Sequence, residues 1–247
     1  MKRGKNAQIT IFVILSILIV IGFLIFFLIR SETQKELLDP QFVDLYPFVE
    51  ECMQTVGEEG LVHIGNTGGY YLQSKNSNHV GIAYHFDKGI SLLPSKRDIE
   101  NELSNYMSER LFFCTKNFVN FEDIDVEQGD IETKTYILSG KIRFDVKYPL
   151  KIKKGNLVSH IESFEKEIPS RLNTLHNILS SINREQMNNP EQICITCIQR
   201  ISANNEVLIT MNPDPYDSDT ILFKIIDGKI KLNGDYYKFY FAHKYRK

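Results

Sequence analysis

The chain has 247 residues, enough for one large domain or two small ones, and its 43% hydrophobic and 24% charged residues are ordinary for a folded protein. Its net charge of −2 hides an asymmetry: the first 30 residues hold four Lys and Arg and no acid, so the remainder carries −6. No basic patch interleaved with aromatics is present, so nucleic acid is not expected as a partner.

Residues 1–8 form a basic leader with Lys2, Arg3 and Lys5. From Ile9 to Ile29 there is no charge, and only Thr10, Ser16 and Gly22 interrupt the aliphatic and Phe residues. Those residues would make about 31 Å of helix, the thickness of a bilayer core. A soluble amphipathic helix would carry a polar stripe, and this run has none. A secretory signal would be shorter and end in small residues, whereas Arg30, Ser31 and Glu32 follow here. The run is expected to be a single transmembrane helix. The leader is more positive than the Arg30–Glu36 flank, so the N-terminus is placed in the cytoplasm and the rest outside.

Residues 30–47 are expected to be a stalk, with Pro40 and Pro47 breaking any continuous helix, and residues 48–247 an extracytoplasmic α+β domain. Val49, Cys52, Met53 and Val56 recur at helical spacing, and Leu61 and Ile64 extend that face beyond Gly57 and Gly60. "GNTGGYYL" reads as a glycine-rich turn and lacks the lysine of a phosphate-binding loop. "VGIAYHF" and "ISLL", split by Asp87-Lys88-Gly89, suggest a hairpin. Ser95 and Asp98 have capping-box spacing. They open a helix with Ile99, Leu103, Tyr106, Met107, Leu111, Cys114 and Phe118 inward and Glu100, Asn101, Ser104, Ser108 and Lys116 outward.

From Glu132 the period becomes two. Ile142, Phe144, Val146 and Tyr148 alternate with Lys141, Arg143, Asp145 and Lys147, the mark of an antiparallel sheet with one wet face. Pro149 predicts an edge or a bulge, and Lys151, Lys153 and Lys154 a solvated hairpin tip. Pro169-Ser170 starts a helix with Leu172, Leu175, Leu179 and Ile182 inward. Asn189-Pro190-Glu191 looks like another helix start, although the β-branched "QICITCIQRI" leaves a strand as the rival. Strands are expected at 207–211, 220–227 and 236–245, with a turn at Asp227-Gly228-Lys229 and an acidic surface loop at "NPDPYDSD". The expected ectodomain is thus an antiparallel sheet packed against several amphipathic helices.

The four cysteines are disulfide candidates: Cys52, Cys114, Cys194 and Cys197. A Cys52–Cys114 bridge would tie the first two ectodomain helices together. Cys194 and Cys197 form a CxxC, which is half of a zinc-ribbon signature. A thioredoxin-like site would need that CxxC to open a helix after a strand, usually with Gly or Pro inside it, and here Ile195 and Thr196 intervene. Buried thiols or structural disulfides therefore rank first, a zinc site from all four cysteines second, and redox catalysis last. The six histidines are scattered, no GxSxG or HExxH occurs, and the acidic loop lacks the ligand order of an EF-hand. No catalytic residue, cofactor or metal is assigned.

The N-terminus resembles archaeal class III, pilin-type signal peptides. Lys2, Arg3 and Lys5 supply the leader, Ala7 the small residue, and Gln8-Ile9-Thr10-Ile11-Phe12 the start of the mature helix. The resemblance implies peptidase cleavage between Ala7 and Gln8. Asn6 replaces a usual second basic residue, and Phe12 stands where many pilins carry the Glu that neutralises a neighbour's amine, which weakens a filament role. "VEECMQTVGEEGLVHIGNTGGYY", "LSNYMSERLFFCTKNF" and "DVKYPLKI" make the ectodomain similar to a group of archaeal single-pass membrane-anchored proteins. That resemblance implies a location and a build, but no activity.

The leading expectation is a membrane-anchored binding or structural module of the cell surface, without catalysis, whose partners are the bilayer and another surface protein or itself. The rivals are an anchored enzyme or assembly factor of a surface machine, and a pilin-like filament subunit. A reporter active only outside the membrane, fused after Lys247, is expected to be active; an inactive fusion on a stably made protein would contradict the orientation.

Overall fold

The computed structural model describes residues 17–21 and 44–245. Residues 17–21 are helical, and among the described residues no helix is long and apolar enough to cross a membrane. The leader with Ala7 and Gln8, the rest of the 9–29 run and the stalk up to Val43 lie outside the described residues. Residues 44–245 form a mixed α+β unit with two sheets and several helices.

The first helix, α1 (Leu45–Thr67), begins earlier than the expected Phe48. Pro47 does not break it, because it sits in the first turn, where the missing N–H has no intrahelical partner to lose. The helix also runs through Gly57, Gly60 and Gly65 and ends at Gly68, whose φ of 81° supplies the left-handed cap. Lys88 and Gly89, both at positive φ, turn β1 (Tyr84–Asp87) into the short β2 (Ile90–Ser91), as the sequence suggests. The helix α2 (Lys96–Thr115) opens with a complete Ser95/Asp98 capping box.

Four strands build one sheet: β3 (Asp125–Gln128), β4 (Glu132–Leu138), β5 (Lys141–Lys154) and β6 (Leu157–Pro169). Central β5 pairs with β6 along one edge and with β4 and then β3 along the other. Its even-numbered residues from Ile142 to Ile152 are all buried. The register shifts between Lys147 and Leu150, so Pro149 lies in a bulge. Strand β3 has no counterpart in the sequence reading, since its acidic "DVEQ" carries no apolar alternation. Its Glu127 takes up Lys151 and Lys153, which are therefore paired across the sheet instead of free at a hairpin tip.

Of the polar residues expected outward on α2, Asn101 and Lys116 are exposed, but Glu100, Ser104 and Ser108 are half-buried beside β4. Glu100 accepts the Ile137 N–H at 2.8 Å, and Ser104 Oγ accepts the Thr135 N–H at 3.0 Å. Ser104 and Ser108 also reach the hydroxyls of Thr135 and Thr133, each at 2.9 Å. These residues supply partners to the outer edge of β4, which would otherwise present unpaired amides.

Two further helices, α3 (Leu172–Asn188) and α4 (Ile195–Asn205), lead into β7 (Leu208–Pro213), β8 (Thr220–Leu232) and β9 (Asp235–Lys244). The second sheet has the order β2-β1-β9-β8-β7, with β1 and β9 parallel and the other pairs antiparallel. The expected turn at Asp227-Gly228-Lys229 is instead a bulge within β8, where the Lys229 N–H donates to Asp227 at 3.0 Å. The hairpin turn is Asn233-Gly234, with both residues at positive φ, a two-residue signal the sequence reading passed over. Asp227 is buried and bonded at 2.7 Å by Arg171, which also donates to the Asn205 carbonyl. That pair joins the end of the first sheet to the middle of the second.

The glycines of α1 set how closely the layers approach. A methyl group at Gly57 would collide with Ile168 and touch Phe144 and Met107, so the first half of α1 lies tightly on the first sheet and α2. A methyl group at Gly65 would collide with the Lys238 backbone carbonyl and crowd the Tyr237 ring. Backbone cannot move aside as a flexible side chain can, so Gly65→Ala is expected to destabilise the protein by about 2 kcal/mol despite its better helix propensity. Gly228→Ala, which meets nothing within 4 Å, is expected to stay within about 0.5 kcal/mol. Thermal or urea unfolding of both variants checks this, and equal effects would contradict the close-packing account.

Candidate functional site

All four cysteine candidates are bonded, in two separate bridges, and no zinc site gathers them. Cys52 and Cys114 join α1 to α2, closing a loop of sequence separation 62. By chain entropy such a loop contributes about 4 kcal/mol, against about 2 kcal/mol for the short Cys194–Cys197 loop. Among the described residues, no group of three or more His, Cys, Asp or Glu could hold a metal ion.

The Cys52–Cys114 bridge borders the most unusual backbone in the molecule. Just after α2, Lys116, Asn117 and Phe118 have φ of 46°, 54° and 57°. Three successive left-handed residues without a glycine are costly, and only Asn among them tolerates the conformation well. A hydrogen-bonded chain braces the turn. Gln128 Nε2 donates to Asn117 Oδ1 at 3.2 Å, the Tyr148 hydroxyl donates to Gln128 Oε1, and the Thr115 hydroxyl lies 3.3 Å from that of Tyr148. Burial raises the Tyr148 pKa, with the Thr115 hydrogen bond opposing it, so the phenol keeps the proton this chain uses.

The turn sorts its aromatic residues. Phe118 is buried against Phe48, Phe121 and Tyr148. Phe112, Phe113 and Val119 point outward, with 45%, 65% and 66% of their surface exposed, and the two Phe rings meet edge to face. Sequence periodicity placed Cys114 and Phe118 inward but carries no sign of the left-handed turn. "FFC" could have raised the question, because one helical position cannot bury both rings and the cysteine.

A cavity of about 260 Å³ lies between the second half of α1 and the β8–β9 hairpin, bordered by Val62, Asn66, Leu232, Tyr236, Lys238 and Tyr240 among others. Its titratable lining residues are Asp235, Lys238 and three tyrosines, Tyr236, Tyr237 and Tyr240, and it includes no histidine or cysteine. The acidic loop is better ordered than expected. Asp214 is buried, accepts from Asn78 Nδ2 at 2.9 Å and from the Tyr216 N–H at 2.9 Å, and faces His79 at 3.6 Å, while Asp217 binds Lys244 at 2.7 Å. These carboxylates stitch the loop to the sheet.

No protein-family model, curated protein or solved structure matches the chain.

Two histidines are core residues. His85 bonds the Gly68 carbonyl at 2.8 Å and stacks on Phe241. Burial lowers its pKa to about 4; the Gly68 bond opposes that shift and His176 adds to it. His243 lies among Phe86, Phe223 and Phe241 with both ring nitrogens unpartnered, and burial and then His85 hold its pKa well below normal. As pH falls through about 6.5 the unfolded chain binds protons that the folded one refuses, so stability is lost as pH falls from 6.5 toward 4. The two residues therefore give stability a positive slope against pH in this range, each adding to it as the unfolded chain's imidazole takes up a proton. His243→Phe should remove roughly half of that slope in urea titrations; an unchanged slope would contradict the assignment.

Proposed function

We propose that the protein is a single-pass, outward-facing membrane-anchored module that binds another protein at the cell surface. The reading joins the uncharged 9–29 run and its basic leader to a domain whose four cysteines are all paired, as suits an oxidising compartment. The observation that carries it is the exposure of Phe112 and Phe113 at the end of α2, and of Val119 just past the left-handed turn that follows the Cys52–Cys114 bridge. Aromatic anchors held rigid before binding lose little entropy on contact, which favours them as interface centres. Strained backbone that the surroundings over-determine clusters at functional sites.

A photo-crosslinking residue at position 112 in the full-length protein, in its native membrane, is expected to capture a protein partner. Phe113→Asp should lower recovery of that partner at least tenfold while leaving the unfolding temperature within a few degrees, since the side chain is mostly exposed. Capture of lipid alone, or undiminished recovery with Phe113→Asp, would refute the reading.

A further inference from the structure

The Cys194–Cys197 bridge differs from its counterpart in loop length and in having neither sulfur's residue buried, whereas the other bridge pairs buried Cys52 with half-buried Cys114. Cys52 is 4% exposed, and its bond spans two packed helices. Cys194 and Cys197 are both half-buried, the two residues between them, Ile195 and Thr196, are exposed, and the bridge closes a sequence separation of only 3. A loop that short constrains the unfolded chain less than the long Cys52–Cys114 loop does, so this bond contributes about half as much to stability.

Its position in the fold is also later than the sequence suggested. Asn189-Pro190-Glu191 does not start a helix. That segment is held as turns, with Gln186 Nε2 donating to the carbonyls of Asn189 and Gln192. The helix begins at Ile195, which makes Cys194 the N-cap, and its sulfur accepts the Cys197 N–H at 3.3 Å. The Thr196 hydroxyl lies 3.6 Å from the same sulfur. Once the bond opens, a Cys194 thiolate would keep that N–H at the positive end of an 11-residue helix, the setting that lowers thiol pKa.

We propose that Cys194–Cys197 is an exchangeable disulfide that oxidises a pair of thiols on another polypeptide. A client thiolate attacks Cys194 Sγ, forming a mixed disulfide. The Cys194–Cys197 bond breaks, and Cys197 leaves as a thiolate that takes a proton from water. The client's second thiolate then attacks the client sulfur of the mixed disulfide and forms the client disulfide, and Cys194 leaves as the thiolate held by the Cys197 N–H. The client gives up two electrons and two protons in all, and the CxxC gains the two electrons. A low-molecular-weight disulfide returns the pair to the oxidised form by the reverse exchange.

The test uses the full-length protein in detergent with both bridges intact, equilibrated in graded glutathione buffers, alkylated and peptide-mapped. Cys194–Cys197 is expected to be half reduced at a reduced-glutathione level at least tenfold below that needed for Cys52–Cys114. Cys197→Ser, incubated with oxidised forms of a cysteine peptide, should accumulate a mixed disulfide on Cys194. The double variant Cys194→Ser/Cys197→Ser should unfold within a few degrees of the parent. Equal resistance of the two bridges in the parent protein would overturn the proposal whether or not the variants fold, and so would loss of the fold in the double variant.

Discussion

The arrangement of the domain depends on how closely α1 can approach its neighbours. A helix normally keeps 8–10 Å from what it packs on because side chains intervene. Here one face of α1 alternates large residues such as Val49, Met53 and Ile64 with Gly57, Gly60 and Gly65, and all six are buried. The gaps are filled from outside: Ile168, Phe144 and Met107 at Gly57, the Tyr106 ring at Gly60, and the Lys238 backbone at Gly65. One helix therefore serves as core for the first sheet at its start and meets β9 near its end. Glycine weakens a helix by about 1 kcal/mol each, so a glycine-spaced helix persists only where such contacts offset that loss.

Around this axis, unpaired backbone is handled by side chains as well as by other strands. The outer edge of β4 gives its amides to Glu100 and Ser104, and the β8 bulge gives one to Asp227. Asp227 is in turn neutralised by Arg171. Removing one member of that pair would leave the other charge buried without its partner, the costly case, whereas the intact pair adds little on balance. Its value is positional: Arg171 lies at the junction of β6 and α3, so the bond fixes where the chain leaves the first sheet relative to the second.

Much of this was legible from local patterns. The capping box at Ser95, the alternation along β5, the bulge at Pro149 and the inward residues of α3 are each governed by the nearest few residues. What escaped needed a second segment. Glu100 and Ser104 look solvent-facing on a helical wheel and become half-buried only because β4 lies beside them. Asp227-Gly228-Lys229 carries turn chemistry, and that chemistry is used, but within a strand that continues beyond it. The start of α4 was misplaced because Pro190 and Glu191 mimic a first turn, whereas the N–H of Cys197 is satisfied by the Cys194 sulfur. Of the candidate site, the cysteines were visible and a Cys52–Cys114 bridge was one of the pairings left open, but the left-handed turn was not visible, since Lys116 and Phe118 have no preference for it.

That last failure is informative in itself. Local preference and tertiary structure agree over most of this chain, as expected of a sequence that specifies one fold. At Lys116-Asn117-Phe118 they disagree, and a disulfide on one side and the Asn117–Gln128–Tyr148–Thr115 chain on the other hold the disagreement in place. A right-handed continuation of α2 would have relieved the strain. The observed turn instead tucks Phe118 under Phe48 while Phe112, Phe113 and Val119 stay in solvent. A fold that needed only stability would have no use for exposed Phe112 and Phe113 just before a costly turn and exposed Val119 just after it. Their exposure together with the strain argues that the turn is kept for what it presents.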